Sequence, residues 1–553
     1  MGLFTSAHQR NIQAKREERD ERIRNLPEYQ TPLTEKEVGL LNQPASQVIK
    51  AVQDGETDPQ DVLSAYSKRA IAAHKECNML TEVMIGDAQK WAANSNKKGP
   101  LAGFPVSFKD TIAVKGYDSS LGYSCRSFKP LSKDAPMVRM LKDAGAVPYV
   151  KTNVPYTMLS FECYNDIWGT TENPYKKGYV PGGSTGGEAC LLAWGGSRLG
   201  IGTDVAGSVR LPAHFSGIYS LKCSIGRFPK IGNVTTMAGQ EGIPAVYSPM
   251  TRSLDDLGFF LKTIIDLKPW EYDYSVHPMP WSEPNLPSKL KVGVMYEDGV
   301  VTPSPACQRA LETTIDALKK QGHEIVSFTP PSPLRALRIA SQLLCSDGCQ
   351  VALRGQFPGE HNDKGVARMV FAQRLPRFMK KIYAWFVEYI LRDKVWAYMV
   401  RDWNVKTITE RWDLVAEREG YKAEFFDAWK ESEIDILLTV PNATPAFPHK
   451  GLYESISSCG YTFMFNLLDY AAGVLPVTRV DKDLDQLPQS FKPKNRIERG
   501  AFGHYNATKM HGLPVGVQVV GQRLEEEKVL RAMEVVEDAL HKNGVIYKQL
   551  NEN

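Results

Sequence analysis

Residues 180–212 read VPGGSTGGEACLLAWGGSRLGIGTDVAGSVRLP, with nine glycines in 33 residues. Glycine loses more conformational freedom on folding than any other residue, so this density implies a backbone task that side chains would obstruct. Two serines, Ser184 and Ser208, sit inside the glycine clusters. A Walker loop needs G-x-x-x-x-G-K-[ST], and no lysine follows these glycines at that spacing. A dinucleotide loop needs an apolar strand before it, whereas NPYKKGYVP precedes this one. Two readings remain. GGSTG at 182–186 fits the G-x-S-x-G elbow of α/β-hydrolase-type esterases, with His449, His504 or His511 downstream, although a strand should again precede it. Alternatively, the small residues of GTDVAGSVR gather backbone N–H groups into a concavity beside Ser208. Such a nest can hold the oxyanion formed when serine attacks a carbonyl.

Serine attacks only when a base takes its proton. Upstream, GPLAGFPVSFKDTIAVKG alternates Phe104, Val106 and Phe108 against Pro105, Ser107 and Lys109, which reads as a strand with Lys109 on the face opposite the aromatics. Burial would disfavour the charged amine and leave a base; at the surface, Lys109 would simply pair with Asp110.

Working outward, Asp58 and Pro59 form an N-cap and first helical residue for DVLSAYSKRAIAAHKE. DAPMVRMLKDAGAVPYVKTN reads as helix, glycine stop and strand, and GLPVGVQVVGQ followed by LEEEKVLRAMEVVEDALHK repeats the strand–helix rhythm of α/β architecture. The organisation predicted is a mobile N-terminal arm (1–55), one large α/β domain (56–545) with an inserted helical segment at 366–400, and a short tail (546–553). Proline-rich pieces such as FTPPSPLRAL read as surface excursions.

The 553 residues are 42% hydrophobic and 24% charged, as in ordinary soluble globular proteins, and the net charge of +4 gives no argument for nucleic-acid binding. Nine cysteines without CxxC spacing suit a reducing, cytoplasmic setting, with Cys345 and Cys349 able to share a helical face. No uncharged apolar run reaches 18 residues, so no transmembrane helix is expected. No HExxH or zinc-like Cys/His cluster suggests a metal, and no cofactor is implied. The N-terminus matches the myristoylation pattern through Gly2 and Ser6; it also reads as a solvated charged helix packed loosely on the body.

Taken together, VSFKD, GGSTGGE and GIGTDVAGSVRLPA resemble the amidase signature family of serine hydrolases over about residues 60–540. The spacings of its Ser–cisSer–Lys triad are reproduced: 184 − 109 = 75 and 208 − 184 = 24. The resemblance implies a large mixed twisted sheet covered by helices on both faces. It makes Ser208 the nucleophile, Ser184 a bridging serine on a cis peptide bond and Lys109 the general base. The oxyanion hole falls on the N–H groups of Val205, Ala206, Gly207 and Ser208, with Thr185, Asp204 and Arg210 bracing the loop. Thr185 and Ala206 stand where many relatives carry Ser and Gly.

LCSDGCQ, MLSFEC and the segment VARMVFAQRLPRFMKKIYAWFVEYILRDKVWAYMV (366–400) look like the fatty acid amide hydrolase branch. Leu375, Phe378, Ile382, Trp385 and Tyr389 recur every three or four residues as one apolar helical stripe, among Arg374, Arg377, Lys380 and Lys381. Such a helix suits a membrane interface or, more commonly, the packed surface of a domain. By the same resemblance Met158, Leu159 and Phe161 border the acyl pocket, with the Met158 carbonyl facing the leaving group. The expectation is an amidase acting on fatty acid amides such as N-acylethanolamines, cytoplasmic or peripheral on intracellular membranes. Its partner is a small amide, with membrane contact through 366–400 and a homodimer as open expectations. Alternatives are an acetamidase-like short-chain amide hydrolase, an amidotransferase subunit and an inactive interaction protein.

Overall fold

Asp58 accepts a hydrogen bond from the Gln60 N–H and Pro59 follows it, so the chain enters the helix Pro59–Cys77 where the sequence predicts. The computed structural model describes residues 7–551. The strands in chain order are β1 (Leu80–Val83), β2 (Pro105–Lys109), β3 (Val147–Thr152), β4 (Tyr164–Asn165), β5 (Gly169–Thr170), β6 (Leu199–Asp204) and β7 (Tyr219–Lys222). They continue as β8 (Val246–Thr251), β9 (Lys291–Val294), β10 (Glu324–Ser327), β11 (Ile436–Thr439), β12 (Ala472–Arg479) and β13 (Pro514–Val520). Eleven form one sheet in the order β1-β3-β2-β6-β8-β7-β12-β13-β11-β9-β10, and β4–β5 is a separate hairpin.

The sheet is mixed: β2 runs parallel to β3 and β6, whereas β6, β8, β7, β12 and β13 pair antiparallel in succession. Every residue of β2, β3, β6, β8 and β13 is buried, which requires cover on both faces. Helices Gly186–Ala193, Leu254–Asp266, Pro305–Lys320 and Glu526–Lys542 supply part of that cover. Because β2 and β6 are parallel neighbours, their C-terminal residues, Lys109 and Asp204, lie at the same edge of the sheet. Crevices at the carboxyl ends of strands are where α/β sheets place their sites.

Several expectations are corrected. The N-terminal helix, Ala7–Arg24, is not packed loosely. Lys15 is buried and its ammonium meets Glu82 at 2.6 Å, Asp118 at 2.8 Å and Glu18 at 2.7 Å. Arg19 bonds the Leu80 carbonyl at 3.1 Å, and His8 lies 3.3 Å from Glu360. Gly2 and Ser6 fall outside the described residues.

The inserted segment is three helices rather than one: Lys364–Arg374, Arg377–Tyr389 and Lys394–Arg401. Pro376 lacks the N–H that would continue the first, so Leu375 sits in the break and not on the stripe. Phe378, Ile382, Trp385 and Tyr389 do share an exposed face. Lys380 does not join them: it is buried, donates to the Gln373 carbonyl at 2.8 Å, and desolvation lowers its pKa to about 8. Cys345 and Cys349 cap different helices, although both enter one buried cluster. All nine cysteines are free thiols. FTPPSPLRAL is only partly a surface excursion, because Pro333 opens the helix Pro333–Leu344.

Candidate active site

Lys109 ends β2 fully buried, and it does not pair with Asp110. That aspartate instead accepts from Thr81, Ser120 and the Leu121 N–H at 3.0, 3.1 and 2.7 Å. The Lys109 amine meets Ser184 Oγ at 2.8 Å, Thr185 Oγ1 at 2.9 Å, Thr203 Oγ1 at 2.8 Å and the Thr203 carbonyl at 3.4 Å. Desolvation lowers its pKa to about 7, against weaker upward pulls from Asp204, Cys163 and Glu188. A buried ammonium with only hydroxyl and carbonyl neighbours is easily neutralised.

The Gly183–Ser184 peptide is cis. Gly183 packs against the Ser160 carbonyl so closely that a Cβ would lie 2.4 Å from that oxygen. No strand leads into Ser184, though the helix Gly186–Ala193 follows at once, and among the described residues no histidine lines the cavity beside it. The elbow reading therefore lacks both its strand and its histidine.

Ser208 lies in the loop after β6. Its carbonyl accepts from the Thr185 N–H at 3.1 Å, which ties the two serine segments together. Asp204 organises that loop. It accepts from the Gly207 N–H at 2.8 Å and the Val209 N–H at 3.1 Å, and pairs bidentately with Arg210 at 3.0 and 3.1 Å. Burial alone would raise this carboxyl, yet Arg210, with help from Asn466, holds it well below the usual range. Arg210 also reaches Asn466 at 2.6 Å and Gln518 at 2.8 Å.

The commitment of the Gly207 N–H to Asp204 differs from the sequence expectation. The N–H groups of Val205, Ala206 and Ser208 have no partner among the described residues and remain for an incoming oxygen. Gly207 carries the positive φ of the loop, 115°, and Ala206 does not, so alanine fits at 206.

Ser184 and Ser208 open onto a cavity of about 410 Å³, within the usual range for small-molecule sites. Met158, Leu159, Phe161, Val205 and Ala206 line it near the serines. Thr157 and Met158 adopt φ of 61° and 59°, and the Thr157 carbonyl is held by Thr236 Oγ1 at 2.9 Å. Leu337, Leu344, Met369, Met399, Trp403 and Phe463 also line it. Sequence reading named none of these six as lining, since they come from segments far apart along the chain. It also missed Thr203, whose carbonyl and hydroxyl both meet Lys109. Among the described residues no cluster of three or more His, Cys, Asp or Glu side chains is placed to hold a metal.

Residues 61–530 match the family model described as Amidase. The chain is 32% identical to Acetamidase of Emericella nidulans over 94% of this chain and 92% of that protein. It is 34% identical to Fatty-acid amide hydrolase 1 of Sus scrofa over 90% and 86%, respectively. A solved structure of Fatty acid amide hydrolase superposes with a TM-score of 0.80 at 26% identity, covering 98% of this chain and 91% of that one. With the family model spanning most of its length and relatives above 30% identity over nearly all of it, this chain belongs to the amidase signature family and is an amide hydrolase.

Proposed function

We propose that this amide hydrolase acts on fatty acid amides, with Ser208 as nucleophile, Ser184 as proton relay and Lys109 as base. The observation that carries the substrate reading is the largely apolar cavity onto which Ser208 opens, whose lining includes Leu337, Leu344, Met369, Met399, Trp403 and Phe463. A neutral Lys109 has two N–H bonds and one lone pair to place. The Thr185 hydroxyl donates to the Thr203 carbonyl at 3.2 Å, so its oxygen receives one N–H. Thr203 receives the other, and the lone pair faces the Ser184 hydroxyl at 2.8 Å.

Lys109 then draws the Ser184 proton while Ser184 draws that of Ser208 as it attacks the amide carbonyl. The N–H groups of Val205, Ala206 and Ser208 receive the developing oxyanion. The proton returns through Ser184 to the nitrogen, because an amide does not expel an unprotonated amine anion. Water releases the acid from Ser208 by the same relay.

A series of saturated amides from two to about twenty carbons tests the substrate. Each buried methylene contributes about 0.8 kcal/mol, so kcat/KM should rise by up to about fourfold per carbon until the cavity is filled. A flat or falling series would favour the short-chain reading, which similarity to the acetamidases supports. Ser208→Ala should abolish turnover throughout.

The proposal extends to the surface. The exposed face of helix Arg377–Tyr389 bears Phe378, Ile382, Trp385 and Tyr389 and suits an interfacial contact with lipid. Among the described residues no helix is long and apolar enough to cross a membrane.

A further inference from the structure

Residues 185–188, TGGE, spell a helix-capping pair: a threonine at the N-cap and a glutamate three positions on. The helix Gly186–Ala193 does not use it. The Thr185 N–H, which the glutamate of such a pair would accept, donates to the Ser208 carbonyl at 3.1 Å instead. The Thr185 hydroxyl meets Lys109 at 2.9 Å. Glu188 is thereby released to the floor of the site. It is fully buried, and its carboxyl meets the hydroxyls of Ser107 and Thr152, the latter at 2.7 Å. Thr152 is the β3 residue in register with Lys109. Ser107 shares a face of β2 with Lys109, about 7 Å along the strand. Gly200, in register with Ser107 on β6, makes room for the carboxyl, because a Cβ there would collide with Glu188 Oε1.

This carboxyl keeps its hydrogen bonds in either charge state. Ionised, it accepts from Ser107, which accepts in turn from Ser197 at 2.7 Å. Protonated, it donates to Ser107, which donates to Ser197, and Ser197 donates to the Leu199 carbonyl at 3.2 Å. Burial lifts its pKa to about 7, and the charge acting on it is that of Lys109.

The other titratable groups on the surrounding elements are neutral or held elsewhere. Burial keeps the phenols of Tyr66, Tyr149 and Tyr247 protonated and the imidazoles of His74 and His214 neutral. Cys163 holds its proton up to about 12, and Cys190 donates to the Glu172 carbonyl at 3.4 Å. Lys151 of β3 turns to Ser119 at 2.6 Å and Asp110 at 3.5 Å. Asp204 acts on Lys109 as well, but its charge is met by Arg210. Glu188 is the carboxyl beside the base with no cation of its own.

We infer that Glu188 is a positioning residue that acts through Lys109, its carboxylate serving as counter-charge for the ammonium formed when Lys109 takes the Ser184 proton. The proton that leaves Ser208 ends on Lys109, and Glu188 neither gains nor loses one. This inference rests on the reading of Lys109 as the base.

The test is the pH dependence of kcat and kcat/KM from pH 5 to 9, with oleamide, or with acetamide if the short-chain reading holds. Glu188→Gln keeps the shape and removes the charge. Its acid limb should move down by about one pH unit, since a carboxylate near the amine favours the ammonium. Its plateau kcat should fall about three- to tenfold, because the amine is then a weaker base. Thr152→Val leaves the carboxyl in place with one donor fewer, which favours its neutral form. The limb should move the same way by a smaller amount, and this variant decides the matter if Glu188→Gln does not fold. A merely structural role would lower kcat equally at every pH. A wild-type limb near 7 that both variants leave in place therefore overturns this inference alone. A flat wild-type profile removes Lys109 as base, and the role of Glu188 with it.

Discussion

The proposed base is a lysine that must lose its charge to work. Burial lowers the Lys109 pKa to about 7, and protonation occupies the lone pair that faces Ser184. Activity therefore rises with pH through about 7 and levels off above it, falling about tenfold per unit on the acid side. A kcat/KM profile measured from pH 5 to 9 checks this, and a flat profile across pH 6–8 would count against Lys109 as base. Lys109→Ala should cost about 10²–10⁴ in kcat, the usual worth of a positioned base. Gly207 gives a second prediction at this scale. A Cβ there would lie 2.3 Å from Thr462 Oγ1, on a φ of 115° that side chains rarely adopt. Gly207→Ala should thus move the loop carrying the N–H groups of Val205, Ala206 and Ser208. The expected loss is at least the roughly 10²–10³ in kcat that follows removal of one oxyanion donor, read by steady-state kinetics. Lys109, Ser184 and Ser208 can be picked out as candidates from the sequence because one local segment and one fixed spacing carry them. Their supports cannot. Thr462, Asn466 and Gln518 lie 252 to 308 residues from Arg210, and no local pattern announces a partner at that distance.

At the scale of elements, hydrophobic periodicity was a sound guide where burial drives docking and a poor one where charge does. The helix Ala7–Arg24 has no apolar face to read, yet Lys15 sits at 2% exposure because three carboxylates receive it. Burial alone would depress its pKa; Glu82 foremost, with Asp118 and Glu18, more than reverses that. Removing the ammonium leaves Asp118 buried without its ion-pair partner and Glu82 with Arg22 alone. Lys15→Ala should therefore cost about 3–5 kcal/mol in a denaturant titration, whereas Lys50→Ala, in an exposed pair with Asp54, should cost at most about 1 kcal/mol. Equal effects would mean that the helix docks by other contacts. The inserted segment shows the opposite error. Spacing by three and four suggested one stripe through Leu375, but a proline interrupts the helix there and a second break follows Tyr389. Periodicity found the face and missed its ends.

For the whole molecule, the question raised by the proposed fatty-amide substrate is how a chain with no membrane-crossing helix among its described residues would reach it. Phe378, Ile382, Trp385 and Tyr389 are 56–65% exposed on one helix face, with Ile390 and Leu391 continuing at 57% and 55%. From the same insertion Met369 and Met399, with Trp403 just after it, line the cavity. One structure thus presents apolar side chains both to the exterior and to the proposed acyl site. Exposed Lys381, Arg392 and Lys394 flank the outer face and favour an anionic surface, whereas Arg377 is held by Glu410 at 2.7 Å. Burying a large apolar side chain is worth about 1.5–3 kcal/mol. Replacing Phe378, Ile382 and Trp385 together by serine should then weaken partitioning onto phosphatidylserine-containing vesicles by at least about thirtyfold in co-sedimentation. Turnover of a water-soluble short amide should stay near wild type in the same variant, while turnover of vesicle-borne oleoyl amide drops. Wild-type protein that stays in the supernatant yet sediments as a dimer, with the triple variant monomeric, would instead make this face a contact between two copies of the chain. Retention of both lipid binding and oleoyl-amide turnover by the variant would remove the insertion from substrate delivery altogether.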